Sequence, residues 1–389
     1  MAEAFKNLIN LGTVSMAGEH LERVWSAFDR RAFEAQARKG LEDLEFKARA
    51  MQVADALEST LPADFDAACA VLEAGLAPPL ALDAAGEPVN LASGRGDAAA
   101  QGLSGWVLWA AGDFVARRGL GHVPRALVCL HAITQRFTAE FAIRPFLQQA
   151  PQVTLATLER WAADPSAHVR RLVSEGSRPR LPWGLRLQAL VQDPSPTLPL
   201  LRALQDDESA YVRRSVANHL NDIAKDHPDL VARWVTEHLQ GASADRTALL
   251  RHASRSLIKQ GHGPTLSAWG LGQGLQGRAS MTLSRHRVAV GESIDFSVSL
   301  EADAPAAQNM VVDYAVHHVR SNGTLSPKVF KGWKLTLGAG ETRTLQKRHS
   351  LRPVTTRRLY PGQHQIDLLI NGQVCASAEF ELLPETTVC

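Results

Sequence analysis

Asp164-Pro-Ser-Ala-His-Val-Arg-Arg171 is followed, 43 residues further on, by Asp207-Glu-Ser-Ala-Tyr-Val-Arg-Arg214, and six of the eight positions are identical. Self-similarity at a period of about 40 to 50 residues marks a helical solenoid of the HEAT type, in which each helix pair buries its apolar face only by stacking on its neighbours. Stacking brings equivalent positions into register. Arg170-Arg171 and Arg213-Arg214 are therefore expected to form a basic ladder along one wall. A curved wall studded with Arg suits a polyanion, and nucleic acid is the first candidate.

Outward from these repeats, apolar residues recur at helical spacing from Phe5 to about Ala268, as in Leu41, Leu44, Phe46, Ala50 and again in Leu155, Leu158, Ala162. Asp164-Pro165 reads as an N-cap followed by proline at the first helical position, with Val169, Leu172 and Val173 as the buried stripe. Trp106, Trp109, Trp161, Trp234 and Trp269 read as solenoid core. Leu76 to Gly105, rich in Ala, Pro and Gly, reads as a loop inserted between helices. Its Ser93-Gly-Arg-Gly-Asp97 is too short for a phosphate loop and lacks the Lys-Ser/Thr ending.

Past Gly270-Leu-Gly-Gln-Gly-Leu-Gln-Gly277, which reads as a linker, the pattern becomes β. Alternating runs stand at Met281–Leu283, Ile294–Leu300, Met310–Val319, Trp333–Leu337, Thr342–His349, His364–Ile370 and Val374–Leu382. Turn signals such as Ser321-Asn-Gly-Thr324 and Asn371-Gly372 separate them. Seven such runs predict an immunoglobulin-like sandwich, with Tyr360-Pro-Gly362 resembling its corner tyrosine. The expected architecture is an all-α HEAT-like solenoid over residues 1–270 followed by an all-β immunoglobulin-like sandwich over 278–389.

The net charge of +2 hides an asymmetry: −7 over residues 1–100, +6 over 101–277 and +3 over 278–389. An acidic head before a basic middle and tail fits a nucleic-acid-binding concavity. Cys69, Cys129, Cys375 and Cys389 form no CxxC and read as reduced structural thiols, and the fourteen His show no metal spacing. The first residues lack the features of a signal peptide, and the apolar window Leu103–Val115 is too short to span a bilayer and contains Asp113. The expectation is a cytoplasmic protein with no membrane contact.

Arg136-Phe-Thr-Ala-Glu-Phe-Ala-Ile-Arg-Pro-Phe146 and His168-Val-Arg-Arg-Leu-Val-Ser-Glu-Gly-Ser-Arg-Pro-Arg-Leu-Pro-Trp-Gly184 resemble the AlkC branch of the AlkC/AlkD bacterial DNA alkylation-repair glycosylases. Gly40–Arg49, Val212–Ile223 and Leu250–Lys259 continue the resemblance, which covers about residues 1–270. The β tail resembles the immunoglobulin-like extension that some members carry. The resemblance implies a monomeric, nucleoid-associated enzyme that holds double-stranded DNA in its concave face. It would hydrolyse the N-glycosidic bond of cationic alkylated bases such as 3-methyladenine, in base excision repair, with no metal or organic cofactor. The family positions that match are Glu140, Glu175, Trp183 and Asp222.

Such a base already carries positive charge, so its departure needs no strong general acid. Carboxylates would stabilise an oxocarbenium-like sugar and place a water, and an aromatic face attracts the cation. Each residue also has a plainer reading. Asp222 suits a solvated helix end near Lys225. Glu175 suits an intrahelical pair with Arg171. Glu140 suits a clamp between Arg136 and Arg144, and Trp183, after Arg178-Pro-Arg-Leu-Pro182, suits a core plug. Arg170, Arg171, Arg178, Arg180, Arg213, Arg214, Arg251 and Arg255 are the expected DNA contacts, the first Arg of each pair being partly structural. The basic residues of the tail (Arg285, Arg287, Arg343, Lys347, Arg348, Arg352, Arg357, Arg358) suggest a second DNA-holding surface. The competing class is a non-catalytic HEAT-repeat module that binds nucleic acid or protein, although such a binder gains nothing from acids near a polyanion.

Overall fold

A computed structural model describes residues 5–89, 101–271, 274–353 and 358–384. Sixteen α-helices precede eight β-strands among them. The chain divides into two compact units, one of residues 1–226 with 243–253 and one of 227–242 with 254–389. Helices Pro228–Leu239, Arg255–Gln260 and Gly263–Ala268 thus group with the β-sandwich.

In the first unit the repeats stack as their spacing predicts: helix Ala167–Gly176 packs on Ala210–Ile223, which packs on Ala244–Ala253. The shared Asp-x-Ser has a specific job. Asp164 Oδ1 accepts the Ser166 N–H at 2.8 Å and Asp207 Oδ1 accepts the Ser209 N–H at 2.9 Å. Each makes a turn that turns the chain into its helix. Ser209 Oγ then accepts the Val212 N–H as a true N-cap. The expected cap at Asp164 is therefore displaced: the helix starts at Ala167 with Ser166 in the cap position, because the aspartate is spent on the turn.

The first Arg of each pair closes the same turn. Arg170 Nη1 donates to Asp164 O and Pro165 O, at 2.9 and 3.1 Å. Arg213 Nη1 donates to Asp207 O and Glu208 O, at 2.6 and 2.8 Å. Each guanidinium also reaches the aspartate of the next repeat, Arg170 to both oxygens of Asp207 and Arg213 to Asp245. The ladder thus runs inward as a staple between successive repeats.

The described part of the inserted segment is firmly held. Leu80 N–H bonds Gln135 O, Ser209 Oγ–H bonds Gly86 O and Ala210 N–H bonds Ala85 O. Gly86 sits at φ +71°, where a side chain would meet Ser209 at 2.8 Å. Ser93–Asp97 lies outside the described residues.

In the second unit β1 (Gly277–Leu283), β3 (Ser293–Ala302) and β6 (Thr342–Ser350) form one sheet in the order β1-β3-β6. β2 (Arg287–Ala289), β4 (Gln308–Val319), β5 (Leu325–Leu337), β7 (Gly362–Ile370) and β8 (Gln373–Leu383) form the other, in the order β2-β8-β7-β4-β5. All pairs are antiparallel except β2 with β8. Ile294, Phe296, Val298 and Leu300 of β3 face Val312, Tyr314, Ile366, Leu368 and Phe380 in one dry core. Each expected strand lies within one of these, and Pro327 is accommodated because β5 is an edge. The glycine-rich stretch is no free tether where described, since Leu271 is buried against Ile258, Leu266 and Val311.

Candidate active site

Glu140, Glu175 and Trp183 line a single cleft of about 390 Å³ in the helical unit. Glu175 ends helix Ala167–Gly176, Glu140 precedes helix Arg144–Gln149, and Trp183 stands on the loop between helices Ala167–Gly176 and Gln188–Gln192. Asp222, from helix Ala210–Ile223, is only 2% exposed and sits behind the cleft. It joins the site through Arg178, whose Nε donates to Asp222 Oδ2 at 2.8 Å and whose Nη1 donates to Glu175 Oε1 at 2.6 Å. Lys225 Nζ takes the other oxygen of Asp222 at 2.8 Å.

Arg171 pairs with Glu140 and lies 3.5 Å from Glu175, while its guanidinium covers the Tyr211 ring at 5.2 Å. Both oxygens of Glu175 are engaged, Oε2 by the Ser215 hydroxyl at 2.6 Å. Burial alone would push the Glu175 carboxyl up, but Arg171, Arg178 and Ser215 hold it below the ordinary carboxylate value. It is therefore ionised at neutral pH. His219, buried and bonded to Ser174 O at 2.9 Å, is pushed by burial down to about 4 and adds no charge.

Trp183 is 64% exposed and has φ +61°, one of two non-glycine residues in that region among the described residues. It follows Pro182 in a turn closed by Gly184 N–H to Leu181 O at 3.2 Å, so it occupies the corner position that favours glycine. That exposure is not the burial of a core plug, and the backbone that holds the indole is strained. Trp106, expected in the core, is half-buried and lines this cleft with Phe137 and Phe141. Aromatic residues at helical spacing gave no signal that separated these wall residues from the core.

The eight expected basic contacts lie in different places. Arg170 and Arg178 are buried in ion pairs, and Arg171 lines the cleft. A free phosphate contact for Arg170 is replaced by the inter-repeat staple, because the sequence could not show which way its helix face turns. Arg213 is half-buried in the same kind of staple. Arg214 is exposed and Arg180 half-buried, each forked onto a carboxylate, Glu87 at 2.6 Å and Asp226 at 2.7 Å. Arg251 stands in helix Ala244–Ala253 and Arg255 opens helix Arg255–Gln260. In the sandwich Arg285, Arg287, Arg343 and Arg348 pair with Glu292, Glu381, Glu341 and Asp295, whereas Arg357 lies outside the described residues.

Residues 137–257, which contain all four site residues, match the family of DNA alkylation repair enzymes, and residues 278–384 match the C-terminal Ig-like domain of the uncharacterised protein YhaZ. YhaZ of Bacillus subtilis (strain 168) is 35% identical over 382 residues, covering 97% of this chain and 99% of its own. A solved structure, the Pseudomonas fluorescens alkylpurine DNA glycosylase AlkC bound to DNA containing an abasic site analog, is 36% identical, covers 98% of this chain and 100% of its own, and superposes with a TM-score of 0.85. The chain belongs to the AlkC branch of the DNA alkylation-repair enzymes. The AlkC fold accounts for both halves, the helical repeats and the Ig-like sandwich. Among the described residues no helix is long and apolar enough to cross a membrane.

Proposed function

We propose that this AlkC-family chain is a monofunctional DNA glycosylase that releases cationic alkylated bases, 3-methyladenine among them, from duplex DNA. The observation that carries this reading is the cleft itself. Glu140 and the ionised Glu175 converge on an aromatic-walled recess whose rim is an exposed, strained Trp183. Cleavage of the bond between C1′ and the base sends its electron pair to the cationic ring, which leaves neutral. The sugar left behind is positive, and the fixed carboxylates stabilise it without reorganisation. Water then adds to C1′ and passes its proton to the carboxylate that holds it, which returns it to solvent. Glu140 is best placed to hold that water: Thr138 and Arg171 engage its Oε2, whereas both oxygens of Glu175 and Asp222 are taken.

A silent DNA-binding module remains the competing class, and an excision assay on methylated duplex DNA separates the two. Released base supports the enzyme; tight binding without release supports the module. Partial exposure leaves Arg180 and Arg214 within reach of a phosphate. Arg180→Ala and Arg214→Ala should each lower the salt slope of DNA binding by about one unit, for damaged and undamaged duplex alike. Binding titrated across salt concentrations checks this, and unchanged slopes would leave both residues to their carboxylate partners alone.

Trp183→Gly should separate stability from activity. Glycine relieves backbone strain of about 1–3 kcal/mol, so the variant should melt no lower than the parent while excising at least tenfold more slowly. A variant that keeps its rate would remove the indole from the mechanism.

A further inference from the structure

Arg144 is the largest fully buried side chain of the molecule's described core, with no exposure at all. Its guanidinium faces carbonyl oxygens rather than an acid. Nε donates to Leu185 O at 2.5 Å, Nη1 to Gly176 O at 2.8 Å and Nη2 reaches Pro179 O at 3.5 Å. Those carbonyls bracket the loop that carries Arg178 and Trp183. Gly176 is where helix Ala167–Gly176 stops, Pro179 follows Arg178, and Leu185 comes two residues after Trp183. The fit leaves little slack: a Cβ at Gly184 would lie 3.3 Å from the Arg144 side chain.

We infer that Arg144 is the positioning residue of the site, a buried fork that fixes the loop from Ser177 to Leu187 and so sets both the Arg178 bridge and the corner at Trp183. Only a guanidinium offers donors in a rigid planar fork to separate carbonyls; an ammonium is a point donor. Its charge has a second consequence. Burial and the neighbouring Arg178 push its pKa down to about 10, opposed by Glu140, Asp222 and Glu175, and a group at that value is still cationic at neutral pH. The three carboxylates therefore face a fixed positive charge behind the loop, in addition to Arg171, Arg178 and Lys225. Removing it makes the ionised form of Glu175 harder to keep, so that carboxyl titrates at higher pH.

The test uses the full chain with Arg144→Met and Arg144→Lys. Limited trypsin digestion, with fragments identified by mass spectrometry, reads the loop through cleavage after Arg180 and Arg186. The Met variant should be cut there at least tenfold faster than the parent. Its excision rate should fall at least tenfold, and the acid limb of its pH–rate profile should move to higher pH. The Lys variant keeps the charge but not the fork, so its acid limb should stay with the parent while its loop remains more easily cut. The kinetic arms rest on the glycosylase reading, whereas the digestion arm does not. A folded Met variant with a loop as resistant as the parent's overturns the inference even where excision is confirmed. A parent that releases no base overturns the functional reading and leaves digestion to decide the role of Arg144. Should the Met variant not fold, the Lys variant decides: full loop protection there overturns the need for a fork.

Discussion

Glu175→Gln and Asp222→Asn are each expected to slow base release by about a hundredfold, the scale seen when one preorganised electrostatic partner of a charged transition state is removed. Both exchanges keep shape and remove charge. Glu175 loses its field at the cleft wall directly, while Asp222 acts from behind through Arg178, whose bridge between the two acids orients them as a unit. The two effects should therefore fail to add in the double variant. Single-turnover rates on methylated duplex, taken where circular dichroism finds each variant folded, are the check. Rates within a few-fold of the parent would take these carboxylates out of the chemistry and leave them as a salt-bridge network.

Arg170→Ala should have the largest effect on stability. The change strips a buried carboxylate, Asp207, of both hydrogen bonds from its cation and leaves Asp164 O and Pro165 O without their donor. Breaking one partner of a buried pair costs about 3–5 kcal/mol. In a unit of this size that corresponds to a fall of roughly 10 °C in melting temperature. Arg213→Ala should cost about 1 kcal/mol or less in its ion pair, because its partner Asp245 is 68% exposed. Equal melting temperatures for the two variants would mean that the buried staple is no stronger than the exposed one.

That contrast shows what the repeat could and could not say. Six identities in eight fixed the period and hence the stacking of helices Ala167–Gly176 and Ala210–Ile223, because a helix pair needs its neighbour to bury its apolar face. The same identities were silent on the direction of the Arg side chains. Period alone cannot separate a phosphate ladder from a staple when both require a cation at the same interval. The sandwich was legible because period-2 burial, as in Ile294, Phe296, Val298 and Leu300, leaves its mark in the sequence. β2 left none, since Arg287–Ala289 is only three residues long and pairs in parallel with β8.

At the site, Glu140, Glu175, Trp183 and Asp222 were named from a resemblance, and the fold brings the first three to one cleft with Asp222 one guanidinium behind. Trp106, Phe137 and Phe141 were hidden because an aromatic half-turned toward a cleft has the same sequence spacing as one turned into a core. The strain at Trp183 was hidden too. Pro182 suggested a turn, but only the backbone reveals that the next residue holds a glycine-like conformation.

Whether this cleft breaks glycosidic bonds is decided by incubating the full chain, and Glu175→Gln beside it, with methylated duplex DNA and resolving released bases by chromatography. Free 3-methyladenine should accumulate with the parent far above the spontaneous rate and little with the variant, and the strands should stay intact until alkali cleaves the abasic sites. Duplex bound by the parent with no base released above the spontaneous rate would contradict cleavage by this cleft.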